Sequence, residues 1–201
     1  DQIDKPDLSF EQVCISLMRL LAQGFAAENC SLLLFDAEKS ELVLCAAASA
    51  LDDNVSFVNP QLWKGKRFRL GEGIAGQAAA SRKIIRCNDV KNEAEFIRIP
   101  DSPVEIHALM CVPLQMDLNL VGVINFSHSR PAVFMPETER MATIVGERCA
   151  RLLAAHLYQH ERRKAEDYYR LVAERVGDGV MVYDSDDQLV NANATIETLS
   201  G

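Results

Sequence analysis

The chain has 201 residues, of which 48% are hydrophobic and 25% charged, and these proportions are typical of a globular protein. The net charge of −8, from 29 acidic and 21 basic residues, argues against binding to nucleic acid or to an anionic membrane. No apolar run reaches the length of a membrane span, and the acidic, polar start does not read as a signal peptide. We therefore expect a cytoplasmic protein without membrane contact by this segment.

The six cysteines lie mostly inside apolar runs, and none forms a CxxC pair. This usage predicts reduced, buried thiols, as in cytoplasmic proteins. Because no spacing typical of zinc ligands occurs, we predict no metal site.

Apolar periodicity predicts the first elements of the chain. A helix is predicted over 9–27, where apolar residues recur at helical spacing behind a capping box of Ser9 and Gln12. Two apolar runs, 30–35 and 41–48, predict an antiparallel hairpin around a polar turn, and a loop follows over 51–66.

The middle of the chain alternates short elements with irregular segments. The pattern predicts an exposed strand over 66–70, a glycine turn with a small-residue helix over 71–82, a short strand over 84–87, and an irregular segment over 89–99 with one helical turn near 94–97. The strongest strand signals, 106–116 and 120–128, form a second hairpin. This order predicts an α+β fold with a mainly antiparallel sheet flanked by helices.

Residues 136–176 predict one long helix, since they contain no proline after the first position and only one glycine. At about 1.5 Å per residue, forty residues form a rod of about 60 Å. Its first part keeps coiled-coil spacing at Ala142, Val145, Cys149, Leu152 and His156, and a second apolar set, Ala165, Tyr168, Val172 and Val176, is out of register with the first. Packing on the chain's own sheet also fits the first set. The second set has no domain of its own to cover, so we expect a partner helix and a parallel homodimer.

A glycine motif, Gly71-Glu-Gly-Ile-Ala-Gly76, has the letters of a dinucleotide fingerprint. The strand before it, 66–70, is charged at alternate residues and does not read as a buried parallel strand. We therefore interpret Gly71 and Gly73 as a sharp turn and Gly76 as a residue of close helix packing. The start of this helix is also a candidate wall of a ligand pocket.

These fragments, in this order, resemble a GAF domain. The matching segments are the N-terminal helix, the first hairpin, and the stretches 71–76, 85–90, 108–114, 120–126 and 134–139. The resemblance covers roughly residues 8–157 and implies a domain over 1–135 whose last helix continues to about 157. Residues 136–176 are then a signalling helix, and residues 177–201 resemble the truncated start of a PAS domain.

A GAF domain, a helical linker and a PAS domain in series are similar to bacterial sensory proteins. The resemblance implies a cytoplasmic sensory domain that binds a small molecule, dimerises, or does both, and relays a signal to PAS and output domains. Among outputs it favours a histidine kinase of a two-component system, with diguanylate cyclases, phosphodiesterases and sigma-54 activators as the other candidates. We expect this segment itself not to be an enzyme and assign no catalytic residue.

The resemblance implies a mostly apolar ligand pocket between the sheet and its covering helices. Its candidate lining residues are Phe68, Leu70, Ile74, Cys87, Phe96, Ile97, His107 and Met110. The sequence leaves the ligand and any cofactor unidentified. A bilin is disfavoured because no Cys-His dipeptide occurs, and the lone His107 reads more readily as a hydrogen-bonded residue than as a haem ligand.

The cyclic-nucleotide motif of GAF domains aligns with Asn125, Phe126, Phe134, Thr138 and Glu139. Phe126 and Thr138 stand where that motif has lysine and aspartate, so its ion pair cannot form. We interpret Asn125 as part of a strand-end turn and Phe134 as a core anchor.

Two alternatives to a ligand sensor remain open. One is a thiol-based redox sensor, or an enzyme similar to free-methionine-sulfoxide reductases, that uses Cys87 and Cys111. A thiolate mechanism needs a lowered thiol pKa, whereas the apolar strand around Cys111 favours a raised one and so favours packing. The other is a structural spacer whose pocket is closed.

Overall fold

A six-stranded sheet organises the fold of this computed structural model, which describes residues 10–50, 66–98, 105–175, 181–183 and 188–192. The strands are β1 (Asn29–Asp36), β2 (Glu41–Ser49), β3 (Arg67–Arg69), β4 (Ile85–Cys87), β5 (Ala108–Met116) and β6 (Asn119–His128), in the spatial order β3-β2-β1-β6-β5-β4. Every pairing in this sheet is antiparallel. The α-helices among the described residues are α1 (Phe10–Gly24), α2 (Gly73–Ser81) and α3 (Pro136–Arg175). The predicted α+β fold with a long C-terminal helix is confirmed.

Contacts divide the chain into two units, Asp1–Ala154 and Ala155–Gly201. The second unit contains the end of α3 and a small antiparallel pair, β7 (Met181–Tyr183) and β8 (Leu189–Ala192). In the described residues, no helix is long and apolar enough to cross a bilayer.

One face of the sheet packs against α1 and α3. The buried residues of α1 are Cys14, Met18 and Ala22, which repeat every four residues and form one stripe. After α1, Phe25 packs on Phe126 of β6 with ring centroids 4.5 Å apart. Because side chains alternate along a strand, this contact places Phe126 and every second β6 residue from it on the helix-covered face.

Met110 lies on this helix-covered face, not on the face where a ligand pocket was predicted. The neighbouring Val112 is close to α3, since a Cβ on Gly146 would be 3.0 Å from its Cγ1 atom. Side chains alternate along a strand, so Met110 shares the face of Val112, while Leu109 and Cys111 take the other. The assignment of Met110 to the pocket lining was therefore wrong.

The first half of α3 buries one arc against the sheet. Its buried residues are Ala142, Gly146, Cys149, Ala150 and Leu153. Cys149 is thus part of the domain's own core, and its predicted place in a dimer seam is corrected. Val145 is half-buried, whereas Leu152 and His156 are exposed. A separate apolar stripe faces outward, formed by Met141, Ile144 and Leu152, each between 46% and 59% exposed.

The irregular segment after β4 differs from its prediction. A helical turn lies at Val90–Asn92, earlier than the predicted turn near 94–97, where the structure has a hydrogen-bonded turn in which Phe96 N–H donates to the carbonyl of Glu93 at 3.1 Å. Asp89 initiates the helical turn, because its carboxylate accepts a hydrogen bond of 3.1 Å from the backbone N–H of Lys91. This side-chain cap gives the turn a start that apolar spacing alone does not reveal.

Candidate functional site

An apolar cluster fills the sheet face that bears α2. Its buried members are Leu33, Leu42, Ile74, Ala78, Ala79, Cys87, Val90, Leu109, Cys111, Leu120 and Val123. The half-buried residues Phe35, Leu44, Phe68, Ala75, Ile85, Phe96 and Ile106 pack against it. The cluster draws on strands, on α2 and on the segment after β4, which are the elements between which the ligand pocket was predicted.

Four of the predicted lining residues belong to this cluster or pack against it, and two others lie outside it. Ile74 and Cys87 are inside it, and Phe68 and Phe96 pack at its edge. Leu70 is 38% exposed and Ile97 is 40% exposed, and neither belongs to the cluster. Ile97 nevertheless covers the start of α2, since a Cβ on Gly73 would lie 3.0 Å from its Cδ1 atom.

His107 is held by hydrogen bonds on both its side chain and its main chain. Its Nε2 lies 2.9 Å from Oε1 of Glu105, and this contact lowers the pKa of the Glu105 carboxyl. Its backbone carbonyl accepts from Val90 N–H at 2.8 Å, and its N–H donates to the carbonyl of His128 at 2.8 Å. The Nε2 that donates to a carboxylate is not free for an iron, which agrees with a hydrogen-bonded role.

A polar row crosses the middle of the same sheet face. Asn125 on β6 lies opposite Ser31 of β1 on one side and opposite Cys111 of β5 on the other. Directly opposed residues share a face, and Cys111 and Val123 place that face on the cluster. The Oδ1 atom of Asn125 is buried and has no hydrogen-bond partner in the described part of the chain.

An unpartnered buried amide oxygen is costly, at about 1–3 kcal/mol, unless something else supplies a donor. Asn125 therefore points to a hydrogen-bond donor that is missing from the described residues. It also lies well inside β6, so its interpretation as part of a strand-end turn was wrong. The sequence carried one signal of this buried position, since Asn125 is a polar residue between two apolar residues of a predicted strand.

The glycine motif forms a tight turn between β3 and α2. Gly71 and Gly73 have φ angles of 85° and 64°, which glycine adopts at little cost. A Cβ on Gly76 would lie 2.4 Å from the carbonyl oxygen of Arg69, so the backbones approach too closely for any other residue. The predicted roles of these glycines are confirmed. The Glu72 carboxylate, which accepts from Arg69 N–H at 2.8 Å, puts a negative charge at this helix start.

The two thiols proposed for chemistry, Cys87 and Cys111, both lie in the apolar cluster. Burial raises the pKa of Cys111 strongly, and the nearby Cys87 raises it further. Burial also raises the pKa of Cys87, and the Glu93 carboxylate adds to that shift. Both thiols are consequently protonated at neutral pH, the unreactive form.

Arg86 of β4 connects this site to the start of α3. Its Nε donates to Oε1 of Glu139 at 2.6 Å. Its Nη1 donates to the carbonyl oxygen of Phe134 at 3.1 Å and to Oδ1 of Asn88 at 2.9 Å. One guanidinium thus binds the loop before α3 and the first turn of α3, directly beside the cluster residue Cys87. We call these contacts the Arg86 clamp.

The Arg86 clamp includes residues that were compared with the cyclic-nucleotide motif. Phe134 is only 1% exposed, which confirms it as a core anchor. Thr138 caps the helix start, since its Oγ1 accepts from Met135 N–H at 3.3 Å. Glu139, the acidic residue that matches the motif, pairs with Arg86. In the described ranges, no group of three or more His, Cys, Asp or Glu side chains could hold a metal ion.

Comparisons with known proteins agree with this architecture. The sequence profile of the GAF domain family matches residues 7–154. A comparison with curated proteins found no match. Among solved structures, the GAF domain of a phosphoenolpyruvate-protein phosphotransferase from Coxiella burnetii aligns with a TM-score of 0.63 and 21% identity, over 77% of this chain and 86% of that chain.

Two further structures show the same likeness. The second GAF domain of DevS from Mycobacterium smegmatis has a TM-score of 0.51 and 20% identity, over 77% of this chain and 99% of that one. A free methionine-R-sulfoxide reductase from Neisseria meningitidis has a TM-score of 0.52 and 23% identity, over 70% and 72%. At these identities the likeness concerns the fold. Because the family profile covers well over half of the sequence and the fold agrees, the chain belongs to the GAF domain family.

Proposed function

We propose that this GAF domain is the sensory and dimerisation module of a multidomain bacterial signalling protein. It binds a small, mostly apolar molecule on the sheet face covered by α2. The state of that site passes through α3 to downstream domains. GAF domains are in general sensory or regulatory domains that bind small molecules, and three further points support this assignment here.

The buried Oδ1 of Asn125 is the observation that carries the proposal. It lies on the cluster face without a partner in the described residues, in a row with Ser31 and Cys111. A ligand with an apolar body and one hydrogen-bond donor satisfies this oxygen. Pockets of this kind combine many apolar contacts with few polar ones that set orientation.

The Arg86 clamp supplies a physical route from the ligand to the helix. Cys87 contacts the cluster, and the preceding Arg86 binds Glu139 in the first turn of α3. A ligand that moves β4 must therefore either carry α3 with it or break the clamp. Such coupling of a site to a packed helix is a common form of signal transfer.

The ligand assignment is tested by native mass spectrometry of the purified protein and by thermal unfolding with nucleotides, tetrapyrroles and small aromatic compounds. We expect either a bound mass or a saturable rise in Tm, because a ligand that binds only the folded state stabilises it. Asn125→Leu should abolish that rise. Asn119→Leu, at the exposed start of β6, is the matched control. If native mass spectrometry shows the mass of the protein alone and no compound raises Tm, the ligand role is excluded and the structural-spacer alternative is favoured.

The dimer is proposed to form between two parallel copies of α3. Its contacts are the outward stripe of Met141, Ile144 and Leu152 and, in the second unit, Tyr168 and Val172, which are 66% and 41% exposed. A lone solvated helix gains little from such side chains, whereas a second copy buries them. Light scattering should give twice the monomer mass. Ile144→Glu with Leu152→Glu should give a monomer, and Leu118→Glu, a leucine exposed in the β5–β6 turn, should not. A wild-type monomer would refute this contact.

The proposed context is cytoplasmic, with a PAS domain that begins at residue 177 and a histidine kinase as the output. The support is the helix Pro136–Arg175 and the β7–β8 pair that follows it. The full-length gene product should phosphorylate itself with ATP. A product that makes cyclic diguanylate instead would overturn the kinase assignment and leave the sensory one intact.

The thiol alternative rests on the shared position of Cys87 and Cys111 in the cluster. It requires thiolates, and burial raises the pKa of both groups. Reduction of free methionine sulfoxide, measured for the wild type and for Cys87→Ser with Cys111→Ser, decides it. Turnover that disappears in the double variant would replace the sensor by an enzyme.

A further inference from the structure

A concave site is lined by residues that do not belong to the apolar cluster. It is a groove of about 840 Å³ between the end of β5, the segment that joins α2 to β4, and one side of α3. Short β4 pairs only with residues 109–111 of β5, which leaves the rest of that strand edge open to the groove. The α3 wall begins at Pro136 and Glu139 and continues with Arg140, Thr143, Glu147 and Arg151, which repeat at helical spacing.

Four cationic side chains line this groove: Arg82, Lys83, Arg140 and Arg151. None of them forms an ion pair with another residue in the described ranges. The Nη1 atom of Arg82 is buried and lacks a hydrogen-bond partner there. In a chain of net charge −8, this local excess of unpaired positive charge needs an explanation.

Carboxylates and neutral polar groups lie between the cations. Glu139 is already bound by Arg86, but Asp117 and Glu147 have no ion pair among the described residues. Thr143 and Gln115 add further polar groups. The groove therefore offers guanidinium donors for an anion and carboxylate acceptors for hydroxyl or amino groups.

We propose that this groove binds a small phosphorylated molecule that carries hydroxyl or amino groups. The phosphate is held by Arg82, whose planar guanidinium suits phosphate oxygens, with Lys83 and Arg140 adding charge. Asp117 and Glu147 accept hydrogen bonds from the rest of the ligand. The volume suits a sugar phosphate or a nucleotide. A nucleic acid does not fit, because the −8 charge of the chain repels a long polyanion.

The test is an NMR titration of the ¹⁵N-labelled chain at constant ionic strength with ribose 5-phosphate, inorganic phosphate and ribose. We expect saturable shifts of the Lys83 and Thr143 amides with both phosphates, tighter binding of ribose 5-phosphate, and no saturation with ribose. Arg82→Gln should weaken binding about tenfold, the value of one charge-assisted hydrogen bond. Arg82 also ends α2 with a φ of 58°, so the exposed Arg140→Gln serves as a second variant that leaves this backbone unchanged.

Arg69→Gln is the matched control, since it makes the same charge change on β3, at the opposite edge of the sheet. An equal loss of binding in this control would overturn the proposal, as would shifts that sodium chloride reproduces. Tighter binding of hexaglutamate than of ribose 5-phosphate would overturn it in favour of an acidic protein segment. The outcome is independent of the apolar pocket, whose reporters are the amides around Asn125.

Discussion

Replacing Arg86 by methionine tests the connection between the sheet and α3. The variant keeps much of the side-chain volume but loses the hydrogen bonds to Glu139, Phe134 and Asn88. The Arg86 side chain is 22% exposed and that of Glu139 is 37% exposed, so solvent partly screens the pair. One partly screened charge-assisted bond and two further bonds together give an expected loss of about 2–3 kcal/mol in the free energy of unfolding. For a chain of this size that loss lowers Tm by about 4–12 °C.

Urea unfolding followed by circular dichroism measures the loss, and hydrogen exchange locates it. Exchange should accelerate in the first turn of α3 and remain slow at the β1–β6 pairing. Arg162→Met is the control, because its pair with Glu166 joins two residues of one helix that are 70% and 55% exposed, and its loss should leave stability unchanged. Additive effects of Arg86→Met and Glu139→Gln in a double-mutant cycle would refute the reasoning, since residues in direct contact should couple by about 0.5 kcal/mol or more.

Two smaller changes test the glycine turn and the thiols. Gly76→Ala should lower the free energy of unfolding by about 2 kcal/mol or more, because the added Cβ would lie 2.4 Å from the carbonyl oxygen of Arg69. Gly24→Ala is the control, since its Cβ meets nothing within 4 Å and should be neutral or stabilising. Equal urea midpoints for the two variants would contradict this. A hydrogen bond from Cys14 lowers the pKa of half-buried Cys45, while burial raises that of Cys111, so iodoacetamide at neutral pH should label Cys45 first by peptide mass mapping. Earlier labelling of Cys111 would show that the cluster opens to solvent.

Local sequence patterns predicted the helices and strands, but they did not predict which face of the sheet each side chain occupies. The helix and strand order followed from spacing, and only the ends moved by a few residues. In β5, however, residues 108–114 are all buried, because helices cover one face and the cluster covers the other. Such a strand has no alternation of apolar and polar residues. The sequence therefore gave no means of separating Met110 from Leu109 and Cys111, and Met110 was assigned to the wrong face.

The contacts that join distant segments had no local signal at all. Arg86 and Glu139 are 53 positions apart, and each looks like an ordinary surface residue in its own segment. Comparison with the cyclic-nucleotide motif established that one ion pair, at Phe126 and Thr138, is absent. A different pair, built from the neighbouring Glu139 and a residue outside the motif, joins sheet and helix instead. Comparison with a family motif can show that an expected ion pair is absent. It does not identify a different ion pair that joins the same elements.

The helix α3 combines these features, because different arcs of its first half have different neighbours. Ala142, Gly146, Cys149 and Leu153 face the sheet; Arg140, Thr143, Glu147 and Arg151 line the groove; Met141, Ile144 and Leu152 face outward. At 3.6 residues per turn these arcs lie about 120° apart. A rotation of α3 by a few tens of degrees therefore changes all three surfaces together. If a second copy that binds the outward arc and a phosphorylated molecule that binds the groove each bind one rotation of α3 more tightly than another, the two binding events are coupled, and the coupling is reciprocal. The core contact of Cys149 and the Arg86 clamp then set which rotation the unliganded domain prefers.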